Sequence, residues 1–270
     1  MTSMALSLLS SSYSGYVTDL QTQIDAVQAK LTTGKNVLTP SDTATVTQLS
    51  AKSTAVASAE TSITKAKSVI DVAITGLKSI STVMGQLNTL AMNAKSPGLS
   101  NNDLDSFNTR FQNLLLEVQK LASSASVNGS NLLTGTASLF VTTGVDGTPS
   151  SKTTIGNVNV FGLVTMGEMS GMKVDTTDHA AKAMDAISHA MSYLASRQSQ
   201  LQFTSQTLTK QGAAVTNLGT QTQNQISAIQ NVNVPQLQAQ LQALQNMQKI
   251  DYDFLSQIDP TAASVLTISS

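Results

Sequence analysis

The sequence predicts a mainly α protein: a long antiparallel helical bundle or coiled coil built from its N- and C-terminal segments, with a small β-hairpin insertion in the middle. Three observations predict it. Apolar residues recur at steps of three and four near both ends. The chain is only 4% aromatic and has no Trp, so it lacks the large side chains that fill a thick globular interior. Between about 128 and 176 the helical period gives way to short β-like runs among Gly and Thr.

Taken in order, Leu9, Tyr13, Tyr16, Leu20, Ile24, Val27 and Leu31 form a heptad-like seam in a first helix that ends at Thr32-Thr33-Gly34. Thr39-Pro40-Ser41-Asp42 then offers an N-cap, a proline at the first helical position and a carboxylate reaching back from the third. The second helix should run from Pro40 to about Ala94, a length of roughly 80 Å at 1.5 Å per residue. Lys95-Ser96-Pro97-Gly98 breaks it, and Ser100 with Asp103 starts a shorter helix through Leu121. β-like runs are expected at 138–143, 153–163 and 172–174. The helical period returns near Asp178 and is punctuated by Asn233-Val234-Pro235. A last helix carries Leu237, Leu241, Leu244, Met247, Ile250, Phe254 and Ile258, with Pro260 expected to kink or loosen its end. The domains expected are a terminal coiled coil at 1–32 and 233–270, a linker at 33–44, a helical bundle at 45–134 and 177–232, and a β-rich insertion at 135–176.

Composition narrows the function. Charged residues are 11% of the chain and the net charge is −1, with only Arg110 and Arg197 as arginines, so no basic stripe is present to neutralise a phosphate backbone and nucleic acid is not an expected partner. No stretch is read as long and apolar enough to span a membrane, and the run from Met4 to Leu9 does not match a cleaved signal peptide. Cysteine is absent, which removes disulfides, thiolate catalysis and Cys-ligated zinc. His179 and His189 lie about 15 Å apart along one helix and do not share a metal. Asn101, Asp103 and Asp105 read as a helix start, since the glycine of a calcium loop is missing. No nucleophile–base set, phosphate loop or paired-carboxylate pocket is found, so no catalytic, cofactor or metal residues are assigned and an enzyme is not expected.

What remains is assembly. Two terminal helices with apolar seams have too little core to hold themselves alone, because ordering each residue costs about 1–2 kcal/mol of backbone entropy. Their other faces are Gln, Asn, Ser and Thr, which are buried against a like neighbour without stranding a charge. The expected polymerisation interface is therefore Leu9, Tyr13, Tyr16, Leu20, Ile24, Val27 and Leu31 in front, with Leu237, Leu241, Leu244, Met247, Phe254 and Ile258 behind. Gly34, Pro40, Asp42, Asn128 and Gly129 are the expected turn residues. Identical copies joined by heterologous contacts close into a ring or run on as a helical filament.

Leu31-Thr32-Thr33-Gly34-Lys35-Asn36-Val37-Leu38-Thr39-Pro40-Ser41-Asp42-Thr43-Ala44 resembles the bacterial flagellin segment L-S-S-G-x-R-I-N-S-A-x-D-D-A. Val127-Asn128-Gly129-Ser130-Asn131-Leu132-Leu133 is similar to that family's F-N-G-x-x-L-L turn, and Leu241 through Leu266 resembles its C-terminus. The resemblance implies a structural subunit of the flagellar filament, used for swimming motility. In it the terminal helices form an inner tube, residues 33–44 act as a spoke, and the long helices make a second layer. It implies a secreted, extracellular protein whose partner is itself, with other flagellins, junction and cap proteins and an export chaperone as further partners, and no nucleic acid or membrane. Asn36 stands where the family carries Arg, and Asn88-Thr89-Leu90-Ala91-Met92-Asn93 stands for R-E-L-A-x-Q, which implies weak recognition by the innate flagellin receptor. The T-G-K-x-x-x-x-P-S-D spelling at 33–42 also resembles the hook-filament junction protein, the alternative reading.

Overall fold

A computed structural model describes the backbone of every residue but Met1, Thr136, Met166, Glu168, Ser269 and Ser270, and the side chains of residues 11–254 other than 136, 166 and 168. The chain forms two compact units, Met1–Ser50 with Thr222–Ser270, and Ala51–Gln221. Their elements, in order, are α1 (Thr2–Thr33), α2 (Pro40–Ala94), α3 (Asn101–Ser124), β1 (Leu139–Thr142), β2 (Lys152–Ile155), α4 (Val160–Thr165), α5 (Thr177–Gln230) and α6 (Val234–Ile268). The fold is mainly α with one small antiparallel two-stranded sheet.

In the second unit, α2 buries Val56, Ala59, Ile63, Ala66, Ile70, Ala73, Leu77, Ile80, Met84, Leu87, Ala91 and Ala94. These alternate strictly at steps of three and four, the a/d spacing of a coiled coil. From α5, Ala180, Ile187, Leu194, Leu201, Leu208 and Val215 enter the same core one heptad apart, and Phe111, Leu115, Val118 and Ala122 join from α3. The α2–α5 pairing is antiparallel. A Cβ on Gly219 would meet Val56 Cγ1 at 2.9 Å, Thr216 Oγ1 donates to Glu60 Oε1 at 2.7 Å, and a Cβ on Gly212 would lie 3.5 Å from Ile63. Rising numbers on one helix thus meet falling numbers on the other.

Both capping boxes form. Thr39 N and Oγ1 donate to Asp42 Oδ2 while Asp42 N donates to Thr39 Oγ1. Ser100 and Asp103 repeat the arrangement at the start of α3. Between α3 and β1, Asn128 (φ 51°) and Gly129 (φ 75°) occupy the tip of a tight turn whose flanking residues, Val127 and Ser130, exchange both backbone hydrogen bonds. Two positive φ values in succession require this Asn-Gly chemistry.

The insertion corrects the sequence reading. Strand pairing covers four residues on each side, from Leu139↔Ile155 to Thr142↔Lys152. The expected long run at 153–163 stops at Ile155, and 172–174 is no strand. Asparagines cause the change. Asn157 Oδ1 accepts from Asn159 N, Asn159 adopts a positive φ of 46°, and its Oδ1 caps α4 through Gly162 N at 3.0 Å. Residues 172–174 are instead pinned to α3, by Gln112 Nε2 on the Met172 carbonyl and by Val174 N on Asn108 Oδ1. Tyr193 Oη and Arg197 Nη2 of α5 hold the carbonyls of Val158 and Asn157, with the guanidinium carbon 5.5 Å from the Tyr193 ring centroid.

Hydroxyl groups along the long helices turn inward on their own backbone. Thr22, Thr32, Thr45, Thr47, Thr61, Thr75, Thr204 and Thr209 each donate to the carbonyl four residues earlier, as do Ser58 and Ser199. This back-bonding is available to any helical Ser or Thr. The expectation that no stretch is long and apolar enough to span a membrane is corrected by α2, which is so by length and composition, with part of that stretch buried inside the protein. Its apolar residues belong to the heptad stripe described above.

Candidate assembly interface

The first unit is built around α1 and α6, which pack antiparallel. Gln248 Nε2 donates to Gln21 Oε1 at 2.6 Å, and further toward the chain ends Tyr13 and Phe254 lie with ring centroids 6.4 Å apart. Leu20, Ile24, Val27 and Leu244 form the buried cluster, with Leu31, Leu237 and Leu241 packed against it. Asn233 Oδ1 accepts from Gln236 N and so caps α6. α6 continues as helix through Pro260, where the sequence predicts a kink or loosening.

The seam's phase differs from the expected one. In α1 it runs through Val17, which is 8% exposed, while Tyr16 is 53% exposed. A coiled-coil stripe alternates three and four, and Tyr13, Val17, Leu20, Ile24, Val27, Leu31 keeps that alternation where Tyr13, Tyr16, Leu20, Ile24 does not. In α6 the same alternation passes from Leu244 through Gln248 to Asp251, which is buried. Met247 and Ile250 consequently face outward, and Phe254, though its ring meets Tyr13, stays half exposed. The side chains of Leu9 and Ile258 lie outside the described residues.

The linker residues are organised by a contact the sequence reading missed. Gly34 (φ 65°) ends α1 with its N–H on the Lys30 carbonyl, the left-handed cap that glycine permits. Residues 34–36 then run antiparallel to 229–232. Asn36 N donates to the Gln230 carbonyl at 2.8 Å and Val232 N to the Gly34 carbonyl at 3.3 Å. Lys35 Nζ reaches Asn231 Oδ1 at 2.6 Å, and Asn36 Nδ2 bonds the carbonyls of Ile229 and Asn231. The amide of Asn36 bridges two carbonyls, a role its spacing from residue 231 hides in the sequence. Pro40 and Asp42 then start α2, and Thr39's hydroxyl and amide hold the Asp42 carboxyl below the ordinary carboxylate range.

Chemistry of other kinds is thin. Among the described residues no three His, Cys, Asp or Glu side chains group to hold a metal. Thr176 caps the start of α5, its Oγ1 accepting from the backbone N–H of His179, whose ring lies 2.5 Å from the Asp175 carboxylate. That ring lowers the Asp175 carboxyl. A groove of about 530 Å³ beside α2 and α5 is lined by Glu60, Ile63, Lys67, Leu208, Gly212 and Thr216, and includes the hydrogen-bonded pair Thr216 and Glu60.

Comparison with known proteins agrees with this architecture. Residues 7–138 match the bacterial flagellin N-terminal helical region. The chain is 26% identical to flagellin FljO of Caulobacter vibrioides over 91% of its own length and 90% of that protein's, and 24% identical to flagellin FljK of the same organism with the same coverage. It is also similar to the solved structure of Bacillus cereus flagellin, at 17% identity and a TM-score of 0.49, over 56% of this chain and 86% of that one. That last likeness is too slight to carry weight. Residues 7–138 thus carry the bacterial flagellin N-terminal helical region, and the chain is similar along nearly its whole length to two flagellins.

Proposed function

We propose that this protein is a structural subunit of an extracellular flagellar filament, polymerising through α1 and α6 into a helical tube that serves motility. The match of residues 7–138 to the flagellin N-terminal helical region and the near full-length similarity to flagellins support the role. The observation that carries the interface is the pair of faces on one short hairpin: Leu20, Ile24, Val27 and Leu244 close it from inside, while Tyr16, Met247, Ile250, Tyr252 and Phe254 stay exposed. A lone molecule gains nothing from an exposed apolar row; a neighbour covering it does. Residues 33–44 serve as the spoke between terminal helices and bundle, and Asn128-Gly129 closes the bundle turn. Export chaperone, cap and junction proteins and other flagellins are the further partners this role entails.

Electron microscopy of purified protein under polymerising conditions tests the reading, long filaments being expected. The spelling at 33–42 favours the junction protein as second reading; a chain that adds once to a hook end and then stops would select it. Leu20→Asp and Leu244→Asp should each abolish polymerisation, because either places a carboxylate in the buried cluster at a cost of several kcal/mol. The bundle at 51–221 should keep its helical circular dichroism. Normal filaments from either variant would contradict the assignment.

A further inference from the structure

Among the described residues, one carboxylate lies buried in the α1/α6 seam with an oxygen left unanswered. Asp251 is 8% exposed, and its Oδ2 is buried without a hydrogen bond among the described residues. The residues beside it on α6 are apolar and exposed: Met247, four positions before it, is 42% exposed, Ile250 is 55% exposed, and Phe254, three positions after it, is 51% exposed. Hydrophobic burial and charge solvation both favour the opposite arrangement. Nearer the base of the hairpin, Leu237, Leu241 and Leu244 follow the ordinary pattern. The inversion is confined to the outer part of α6.

We propose that Asp251 is an intersubunit contact residue, whose unpaired oxygen accepts a hydrogen bond from a second copy of this chain seated on the row Met247, Ile250 and Phe254. The proposal rests on the filament reading and adds the residue through which ordering of the tails is coupled to contact. In the single chain the unanswered acceptor opposes closure of the outer hairpin, since a buried group without a partner loses its hydration with no return. A neighbour that covers the apolar row and brings a donor removes both defects together. The same chain carries suitable donors on its exposed tail faces, the amides of Gln23, Gln28, Gln242 and Gln245 and the ammonium of Lys249. Two copies are therefore complementary without a third component.

The test uses the full chain and two variants, Asp251→Leu and Asp251→Asn. In dilute solution Asp251→Leu should slow amide exchange in α6 by about tenfold, because the unsatisfied group is gone from the seam. Its critical concentration for polymerisation should nevertheless rise by about tenfold, the acceptor being lost. Asp251→Asn keeps an acceptor oxygen and should polymerise within about threefold of the wild type. If Asp251→Leu polymerises like the wild type, the inference is overturned, and equally so if its α6 amides exchange faster, since the residue then supports the single chain. A wild-type chain that forms no polymer overturns the filament reading along with it; normal wild-type filaments beside unaffected variant filaments overturn this inference alone.

Discussion

Asp42 and Asp103 show how much a single side chain decides here. Each carboxylate accepts from the hydroxyl and amide of the residue three positions earlier, Thr39 or Ser100, and these bonds hold it below the ordinary carboxylate range. The sign follows directly: with the folded value depressed, the stabilisation is complete above the unfolded value of about 4 and fades as pH falls through the lower folded value. An NMR acid titration should find both carboxyls titrating below that value, and the first turns of α2 and α3 losing amide protection as they do. Ordinary titration of either would show that its box does not persist in solution. These boxes were legible because their bonds are local. Asp251 was not, because residues 244–254 offer an apolar stripe at 247, 250 and 254 and a heptad stripe at 248 and 251, and only the partner helix chooses between them.

Among elements, α2 poses the sharpest energetic contrast. A Cβ on Gly76 would approach Leu133 Cδ1 at 2.8 Å and the Ala125 Cβ at 2.9 Å, whereas one on Gly85 meets nothing within 4 Å. Helix propensity favours alanine at either position by about 1 kcal/mol. At Gly85 that gain stands alone, so Gly85→Ala should raise the bundle's stability by roughly 0.5–1 kcal/mol. Overpacking at Gly76 costs about 1–3 kcal/mol and outweighs it, so Gly76→Ala should destabilise. Urea denaturation of the pair measures both, and equal effects would refute the contact. The long helices were legible end to end because heptad spacing, prolines and caps agree at every boundary. Their insertion was not: Val158, Val160 and Val164 are buried and look strand-like, yet the side chains of Asn157 and Asn159 turn the backbone and start α4.

Across the whole molecule, the described side chains give the two units very unequal cores. The unit at 51–221 draws on three long helices and the insertion, while among the described residues the terminal unit's buried cluster is Leu20, Ile24, Val27 and Leu244 with three partly covered leucines. Hydrogen exchange on dilute protein should therefore find α1 and α6 exchanging near the rate of an open chain while α2 and α5 within 51–221 stay protected. Raising the concentration until copies associate should slow exchange in α1 and α6 first. Uniform protection at every concentration would remove the basis for assembly-coupled ordering.

The inward-turned hydroxyls of the long helices carry a last consequence. A threonine that already donates to its own helix presents a neighbour with a methyl group and a lone pair, so contact with it strands no donor and needs no particular alignment. With few ions on the chain, little counter-ion rearrangement accompanies such contact. Association should be nearly indifferent to ionic strength, changing little when salt goes from about 50 mM to 500 mM, a range in which screening collapses ordinary surface attractions. Light scattering across that range would register the indifference as overlapping growth curves.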